Sequence, residues 1–216
     1  MRKPVEKFSL VIGEGKQDLA VLRGIATAAG ISDLRYKDYG GKDKLPAFLG
    51  METKSPEFTS GQIQRILITR DADEDWDAAW NAAKNAIQQA FCVTIDAPGK
   101  WEQPPHGPSV AAWIAPGTKK EGMIETLCLE AAENSAPQSF ECLNAYIECL
   151  QSKQAVELHE KERFEIWTIS AQGAAKGQKR LPFDQAISRL KMINWENEAF
   201  SELRTLLQTM TGESSC

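Results

Sequence analysis

Carboxylates cluster directly after a short apolar run near the middle of the chain. Segment 65–75 reads Arg-Ile-Leu-Ile-Thr-Arg-Asp-Ala-Asp-Glu-Asp. Such a run predicts a buried strand, and residues two apart point to the same side, so Asp71 and Asp73 are expected to converge. Two like charges that close repel unless a cation lies between them. A hard divalent ion suits this position, because it binds one or two carboxylates together with water and phosphate oxygens. We therefore expect Mg²⁺ here, with Mn²⁺ as the alternative ion.

A second pair of acids follows the first predicted strand. Glu14 lies in the turn Gly13-Glu14-Gly15, and Asp18 follows one helical turn later. Ligands of open α/β sheets bind beyond the carboxyl ends of the strands, so Glu14 is expected to face Asp71 and Asp73 if the two strands are neighbours. The helix that begins after Gly15 can receive an anion such as phosphate at its N-terminus.

The first half of the chain alternates between strand-like and helix-like patterns. This alternation predicts an α/β fold with a mainly parallel sheet flanked by helices. The predicted strands are 8–12, 34–39, 65–69 and 110–114, the predicted helices are 16–29, 44–51 and 74–91, and the polar segment 52–61 is predicted to be a loop.

Beyond residue 120 the pattern becomes helical. Helices are predicted at 121–132, 140–151, 160–171 and 194–210. The predicted organisation is an α/β core over residues 1–118, a helical extension packed on the core over 119–210, and a tail over 211–216.

Together the acidic motifs resemble the Toprim domain. A Glu-Gly turn after a strand, a second strand ending in glycine and a third ending in Asp-x-Asp occur in that order over residues 8–91. The chain is most similar to the OLD-like and small free-standing Toprim proteins. The resemblance implies Mg²⁺-assisted cleavage or transfer at phosphodiester bonds of nucleic acid, with Glu14, Asp71 and Asp73 as catalytic candidates. The implied metal set is Glu14, Asp18, Asp71 and Asp73, completed by Glu125 in Gly122-Met123-Ile124-Glu125 or, failing that, by Glu121.

Other interpretations of these acids remain open at this point. Carboxylates at the start of a helix also serve as caps and dipole partners, and Glu74, Asp75 and Asp77 are assigned to that role. A haloacid-dehalogenase motif and an EF-hand loop both fail, the latter because Trp76 and Ala82 stand where it needs Gly and Glu. At the level of function, the alternatives are a non-catalytic module that binds nucleic acid or a protein partner, and a nucleotide-binding α/β protein.

Composition narrows the class of protein. The net charge of −5 argues against non-specific adhesion to nucleic acid, and the five cysteines form no Cys-x-x-Cys pair that would suggest zinc. The sequence shows neither a signal segment nor a membrane-spanning run, so a cytoplasmic protein without membrane contact is expected, with a homo-oligomer or protein partner left open. The compact basic spots are Lys16, Lys42 and Lys44 near the expected site, Lys119-Lys120, and segment 176–180.

Overall fold

The fold is a parallel sheet covered by helices on both faces. The computed structural model describes residues 6–154, 158–171, 185–186 and 193–211. Its strands are β1 (Phe8–Gly13), β2 (Leu34–Asp38), β3 (Ile63–Asp71) and β4 (Ser109–Ala115). All three strand pairings are parallel, in the order β2-β1-β3-β4. The predicted α/β class and the four strands are therefore confirmed, and β1 and β3 are neighbours.

Eight α-helices complete the described part of the chain. They are α1 (Lys16–Ala28), α2 (Leu45–Glu52), α3 (Pro56–Thr59), α4 (Trp76–Phe91), α5 (Ile124–Ser135), α6 (Pro137–Gln154), α7 (Glu160–Ala171) and α8 (Ser201–Thr209). Two 3-10 turns precede helices, at Lys42–Lys44 and at Glu198–Phe200. The basic segment 176–180 and most of the predicted tail lie outside the described residues.

Two of the predicted elements differ from the structure, and local hydrogen bonds explain both differences. The predicted loop 52–61 contains α3, which begins because Pro56 follows Ser55 and the Ser55 hydroxyl accepts a 3.2 Å hydrogen bond from the N–H of Phe58. The predicted helix 121–132 begins later, at Ile124. Its first residues are extended instead, because Gly122 pairs with the backbone of Asp73.

Alternating side chains divide the core between the two faces of the sheet. Val11 and Leu67 pack with α1 and with the helices of the C-terminal half, whereas Leu10 and Ile66 pack with α2 and α4. This is the period of two that a strand covered on both faces requires. The C-terminal helices thus form one of the two layers that bury the sheet.

Four of the six tryptophans are buried core residues. Trp76, Trp80, Trp113 and Trp167 are buried. The indole N–H of Trp101 donates to the hydroxyl of Thr209 at 2.8 Å, so this ring is engaged within the fold. Across the described residues, we find no helix with the length and apolar character needed to span a membrane.

Candidate metal centre

Three carboxylates meet beyond the carboxyl ends of β1 and β3. Asp18 lies in the first turn of α1, Asp71 is the last residue of β3, and Glu125 lies in the first turn of α5. One carboxylate oxygen from each residue lies within 4.8 Å of those from the other two. Since carboxylate oxygens are the ligands that hard divalent cations prefer, this acidic triad can hold a metal ion.

Backbone N–H groups orient two of the three carboxylates. The N–H of Gly15 donates to Oδ2 of Asp18 at 2.7 Å, and the N–H of Ile124 donates to Oδ1 of Asp71 at 3.0 Å. N–H groups at the start of a helix have no partner within the helix, so acids placed there satisfy them. Asp18 and Asp71 are therefore held in position by the protein itself.

Glu14 lies beside the triad. Its Oε2 accepts a 3.3 Å hydrogen bond from the hydroxyl of the buried Tyr39. Burial raises the pKa of Glu14, and the negative charge of Asp18 adds to the rise, while Arg70 and the Tyr39 hydrogen bond oppose it. Glu14 is thus coupled electrostatically to the triad, although it is not one of the three residues whose oxygens lie within 4.8 Å of one another.

Asp73 lies outside the triad, unlike the arrangement that the Asp-x-Asp spacing predicts. Its backbone has the left-handed φ of 51° and exchanges two hydrogen bonds with Gly122, of 2.8 and 2.7 Å. Its carboxylate is 42% exposed and lies 3.5 Å from the ammonium of Lys42. The left-handed residue breaks the alternation of the strand, so Asp71 and Asp73 do not share one ligand position.

The other acids near the triad make contacts outside it. The Asp75 carboxylate caps α4, because its Oδ1 accepts a 2.9 Å hydrogen bond from the N–H of Ala78. Asp77 forms an ion pair with Lys119. The predicted helix-start role is confirmed for Asp75, and Glu121 is an exposed residue outside the triad.

Burial raises the pKa of every acid in the triad. The pKa of Asp71 is raised well above its usual value by burial first and then by the charges of Asp18 and Glu125. Burial also raises the pKa of Asp18, and it raises that of Glu125 to about 7. Lys161, on α7, lowers the pKa of both Asp18 and Glu125. Without a bound cation the folded protein therefore favours the protonated form of these acids.

A cleft of about 990 Å³ gives access to this centre. Segments 70–75, 121–123 and 158–163 line it, and Asp71 is the member of the triad that reaches its surface. Four cationic side chains line the same cleft: Lys42, Arg70, Lys161 and Arg163. Eight acidic side chains line it as well, among them Asp71 and Asp73, so the cleft is mainly acidic with four cations among its acids.

The sequence motifs did not indicate α7 as part of this cleft. The Glu160 carboxylate on α7 accepts a hydrogen bond from the Thr126 hydroxyl on α5. This contact joins residues 34 positions apart in the chain, and no local pattern marks it.

The sequence motifs did not indicate Arg70 as part of the cleft either. It directly precedes Asp71, and its Nη1 donates to the carbonyl of Lys42 at 2.8 Å.

The comparison with protein families matches nearly the whole chain. The family described as "Protein of unknown function (DUF3226)" matches residues 9–212. The chain belongs to this family. The matched residues include the acids of the first half and Glu125, so the complete triad lies within the part of the chain that matches DUF3226.

A solved structure resembles this DUF3226 protein over nearly its full length. It is the crystal structure of a hypothetical protein from Pyrococcus horikoshii OT3, with 14% sequence identity and a TM-score of 0.58. The likeness covers 96% of this chain and 95% of that chain. At this identity it shows the fold alone. No curated protein matches the chain.

Proposed function

We propose that this protein is a Mg²⁺-dependent phosphodiesterase of the Toprim type, with Mn²⁺ as an alternative ion, acting on phosphodiester bonds of nucleic acid. The observation that carries the proposal is the meeting of Asp18, Asp71 and Glu125, with oxygens within 4.8 Å of one another, beside a cleft whose lining includes four cations. The sequence order of these acids resembles that of OLD-like Toprim proteins, which supports the same chemistry.

The donor chemistry of the triad fits the proposed ion. Asp18, Asp71 and Glu125 offer only carboxylate oxygens, which suit Mg²⁺ and Mn²⁺ better than the softer ions that prefer thiolate or imidazole. The raised pKa values of the triad also favour a cation, since a divalent charge would relieve the repulsion among three buried acids.

Each residue has a distinct role in the proposed reaction. Asp18 and Asp71, oriented by backbone N–H groups, would hold the ion, and Glu125 would complete the ligand set. A bound divalent ion supplies a polarised phosphate oxygen and a water of lowered pKa. Glu14, whose pKa is raised and whose carboxylate contacts Tyr39, would accept or return a proton.

The four cations of the cleft would position the substrate. A nucleic-acid strand carries a negative charge on each phosphate, and lysine and arginine side chains bind it largely through these charges. Lys42 and Arg70 come from the first half of the chain, whereas Lys161 and Arg163 come from α7. A strand lying in the cleft could therefore contact cations from both halves of the chain while one phosphate approached the ion that Asp71 would help to hold.

A cleavage assay tests this proposal. Labelled single- and double-stranded DNA and RNA are incubated with the full chain in Mg²⁺, in Mn²⁺ and in EDTA. We expect cleavage in the presence of metal, its loss in EDTA, and a drop of at least about 100-fold for Asp71→Asn, since a metal centre supplies several kcal/mol of transition-state stabilisation. Asp77→Asn is the matched control, because Asp77 pairs with Lys119 away from the triad. Equal cleavage by both variants would show that another centre is responsible.

A non-catalytic binding module is the second candidate. The observation that favours it is the position of Asp73, which pairs with Lys42. Within the described residues this leaves one group of three carboxylates in place of the larger set that the motif predicts. Such a protein would hold one ion and bind nucleic acid or a protein partner without cutting. In the same assay it would retain labelled strands in a metal-dependent manner and release no products.

A further inference from the structure

The acidic triad lies beneath the surface of the cleft. Asp18 and Glu125 are only 8% and 4% exposed, and neither side chain belongs to the cleft lining. Asp71 is half-buried and is the member of the triad that the lining includes. An ion held by these three carboxylates would therefore be approached through the cleft, past Asp71. A substrate phosphate has to enter the cleft to reach such an ion.

Hydrogen bonds between elements of the fold fix the walls of this cleft. The Nη2 of Arg163, on α7, donates to Oδ1 of Asn144 on α6 at 3.1 Å. Segment 121–123 is held by the two backbone hydrogen bonds between Gly122 and Asp73. The volume of about 990 Å³ is at the upper end of the range for pockets that enclose one small molecule. A cleft of this size with fixed walls admits a short, narrow stretch of a polymer.

The charge of the lining opposes a dense array of phosphates. Eight acids and four cations line the cleft, and the whole chain has a net charge of −5. A duplex carries one negative charge per roughly 1.7 Å of its axis, which is twice the charge density of one of its strands. Repulsion by the acids of the cleft is therefore stronger for a duplex, while the four cations can serve the phosphates of a single strand.

Apolar side chains lie among these charges. Ala78, Ala79 and Ala82 of α4 line the cleft, together with Met123 and Leu158. An unpaired base exposes its apolar faces, whereas in a duplex these faces are stacked on the neighbouring bases. An unpaired strand can therefore bury base surface against this lining, and a paired segment cannot.

We propose that the substrate of this cleft is an unpaired nucleic-acid strand and that paired segments are excluded from the metal centre. The inference rests on the proposed function and specifies its substrate class. A paired segment would bring a second strand of equal charge into the same fixed cleft. An unpaired strand brings half of that charge and also has free base faces to place against the apolar residues.

A partly paired substrate tests the inference within one molecule. An end-labelled strand is annealed to two shorter strands that leave its central stretch unpaired, and it is incubated with the full chain in Mg²⁺, in Mn²⁺ and in EDTA. DNA and RNA versions are both used. We expect cleavage in the unpaired stretch to be at least about tenfold faster than in the paired flanks, a difference of roughly 1.4 kcal/mol in the barrier. A third strand that pairs with the central stretch should protect it by the same factor.

Two variants assign the cleavage to this centre. Asp71→Asn should abolish it, and Asp77→Asn should retain the preference of the wild type, because Asp77 pairs with Lys119 away from the triad. Equal cleavage of paired and unpaired positions, with its loss in Asp71→Asn, overturns the inference and leaves the proposed function standing. Failure to cleave any of these substrates, or cleavage that persists in Asp71→Asn, overturns both.

Discussion

The backbone N–H of Ile124 donates a 3.0 Å hydrogen bond to Oδ1 of Asp71, across 53 positions of the chain. This bond attaches the N-terminus of α5 to the carboxyl end of β3. It places Glu125, the next residue of α5, beside the strand that carries Asp71. The partial positive charge of the helix terminus also favours a carboxylate at this point. A single hydrogen bond thus explains why an acid from the helical half of the chain joins acids from the α/β half.

The first prediction concerns Asp71→Asn, which removes the charge and keeps an oxygen that can accept from Ile124. Asp71 is repelled by Asp18, Glu125 and Glu14 in the metal-free protein, so we expect the variant to be more stable than the wild type without metal. A gain of about 1 kcal/mol corresponds to a rise of roughly 2–4 °C in Tm for a chain of this size. The stabilisation that Mn²⁺ gives the wild type should be lost. Calorimetric scans with EDTA and with Mn²⁺ measure both effects.

Asp77→Asn provides the comparison for these scans. It makes the same chemical change in an exposed acid that pairs with Lys119. We expect it to keep the Mn²⁺ response of the wild type. An Asp71→Asn protein that melts earlier in EDTA and still responds fully to Mn²⁺ would contradict the view that Asp71 is a crowded metal ligand.

The convergence of Glu14 and Asp71 was predictable from the sequence, and that of Glu125 only in part. Acids that follow parallel strands lie at the same edge of the sheet. The two strand patterns therefore sufficed to predict that Glu14 and Asp71 lie close together, provided that β1 and β3 are neighbours. Glu125 depends on where α5 packs, which local periodicity does not encode. Its place in the motif came from the resemblance to Toprim proteins alone. No sequence pattern indicated that α7 lines the cleft, because the position of α7 depends on the long-range contact between Thr126 and Glu160.

Asp73 illustrates a different limit of the sequence reasoning. The period of two assumes extended backbone, but Asp73 has a φ of 51° and pairs with Gly122. Aspartate is among the residues that tolerate this conformation, so its presence in the motif was compatible with either geometry. The alternation therefore predicted a convergence of Asp71 and Asp73, and the left-handed backbone at Asp73 is the reason why only Asp71 joins the triad.

The second prediction concerns Gly122, whose φ of +119° is unfavourable for other residues. A Cβ atom here would lie 2.7 Å from the Thr126 hydroxyl and 2.9 Å from the Glu160 carboxylate, so it would also disturb the contact between α5 and α7. We expect Gly122→Ala to lower the free energy of unfolding by about 1–3 kcal/mol and to weaken Mn²⁺ binding. Urea denaturation and calorimetric titration measure these two effects.

Gly15→Ala is the control for the glycine prediction. Gly15 has an extended backbone with φ of −142°, and a Cβ atom there meets nothing within 4 Å. Its N–H still donates to Asp18 after substitution. We expect a loss of about 1 kcal/mol or less, because Gly15 is the N-cap of α1 and alanine caps a helix less well than glycine. Equal losses for Gly122→Ala and Gly15→Ala would show that the α5–α7 junction does not require glycine.

The third prediction tests the hydroxyl of Tyr39, which lies 3.3 Å from both Oε2 of Glu14 and the carbonyl oxygen of Thr69. Tyr39→Phe removes this buried donor and leaves the ring in place. We expect the free energy of unfolding to fall by about 1 kcal/mol, the usual net value of such a bond. Tyr146→Phe, at a side chain that is 53% exposed, should leave stability unchanged in the same urea titration. A smaller loss for Tyr39→Phe than for Tyr146→Phe would rule out a structural role for the hydroxyl.

The fourth prediction concerns the pH dependence of stability in EDTA. Burial raises the pKa of Glu125 to about 7, so the folded protein retains this proton at pH values where the unfolded chain has lost it. The associated stability is fully present below the ordinary pKa of a glutamate and is lost as the pH rises through the folded value. We therefore expect the free energy of unfolding to decrease between about pH 5 and pH 8. The loss from this residue is on the order of 2–3 kcal/mol.

Glu125→Gln isolates that contribution, because glutamine has a similar shape and does not titrate. Urea denaturation at several pH values should give a flatter profile for this variant, while Glu121→Gln, at an exposed acid outside the triad, should follow the wild type. Asp71 has a raised pKa for the same reason, so part of the slope should remain. Saturating Mn²⁺ should reverse the trend in the wild type, since ionised ligands bind the ion and metal affinity rises with pH. A wild-type profile that is flat in EDTA, or identical for Glu125→Gln, would mean that Glu125 is not held in its protonated form by the folded protein.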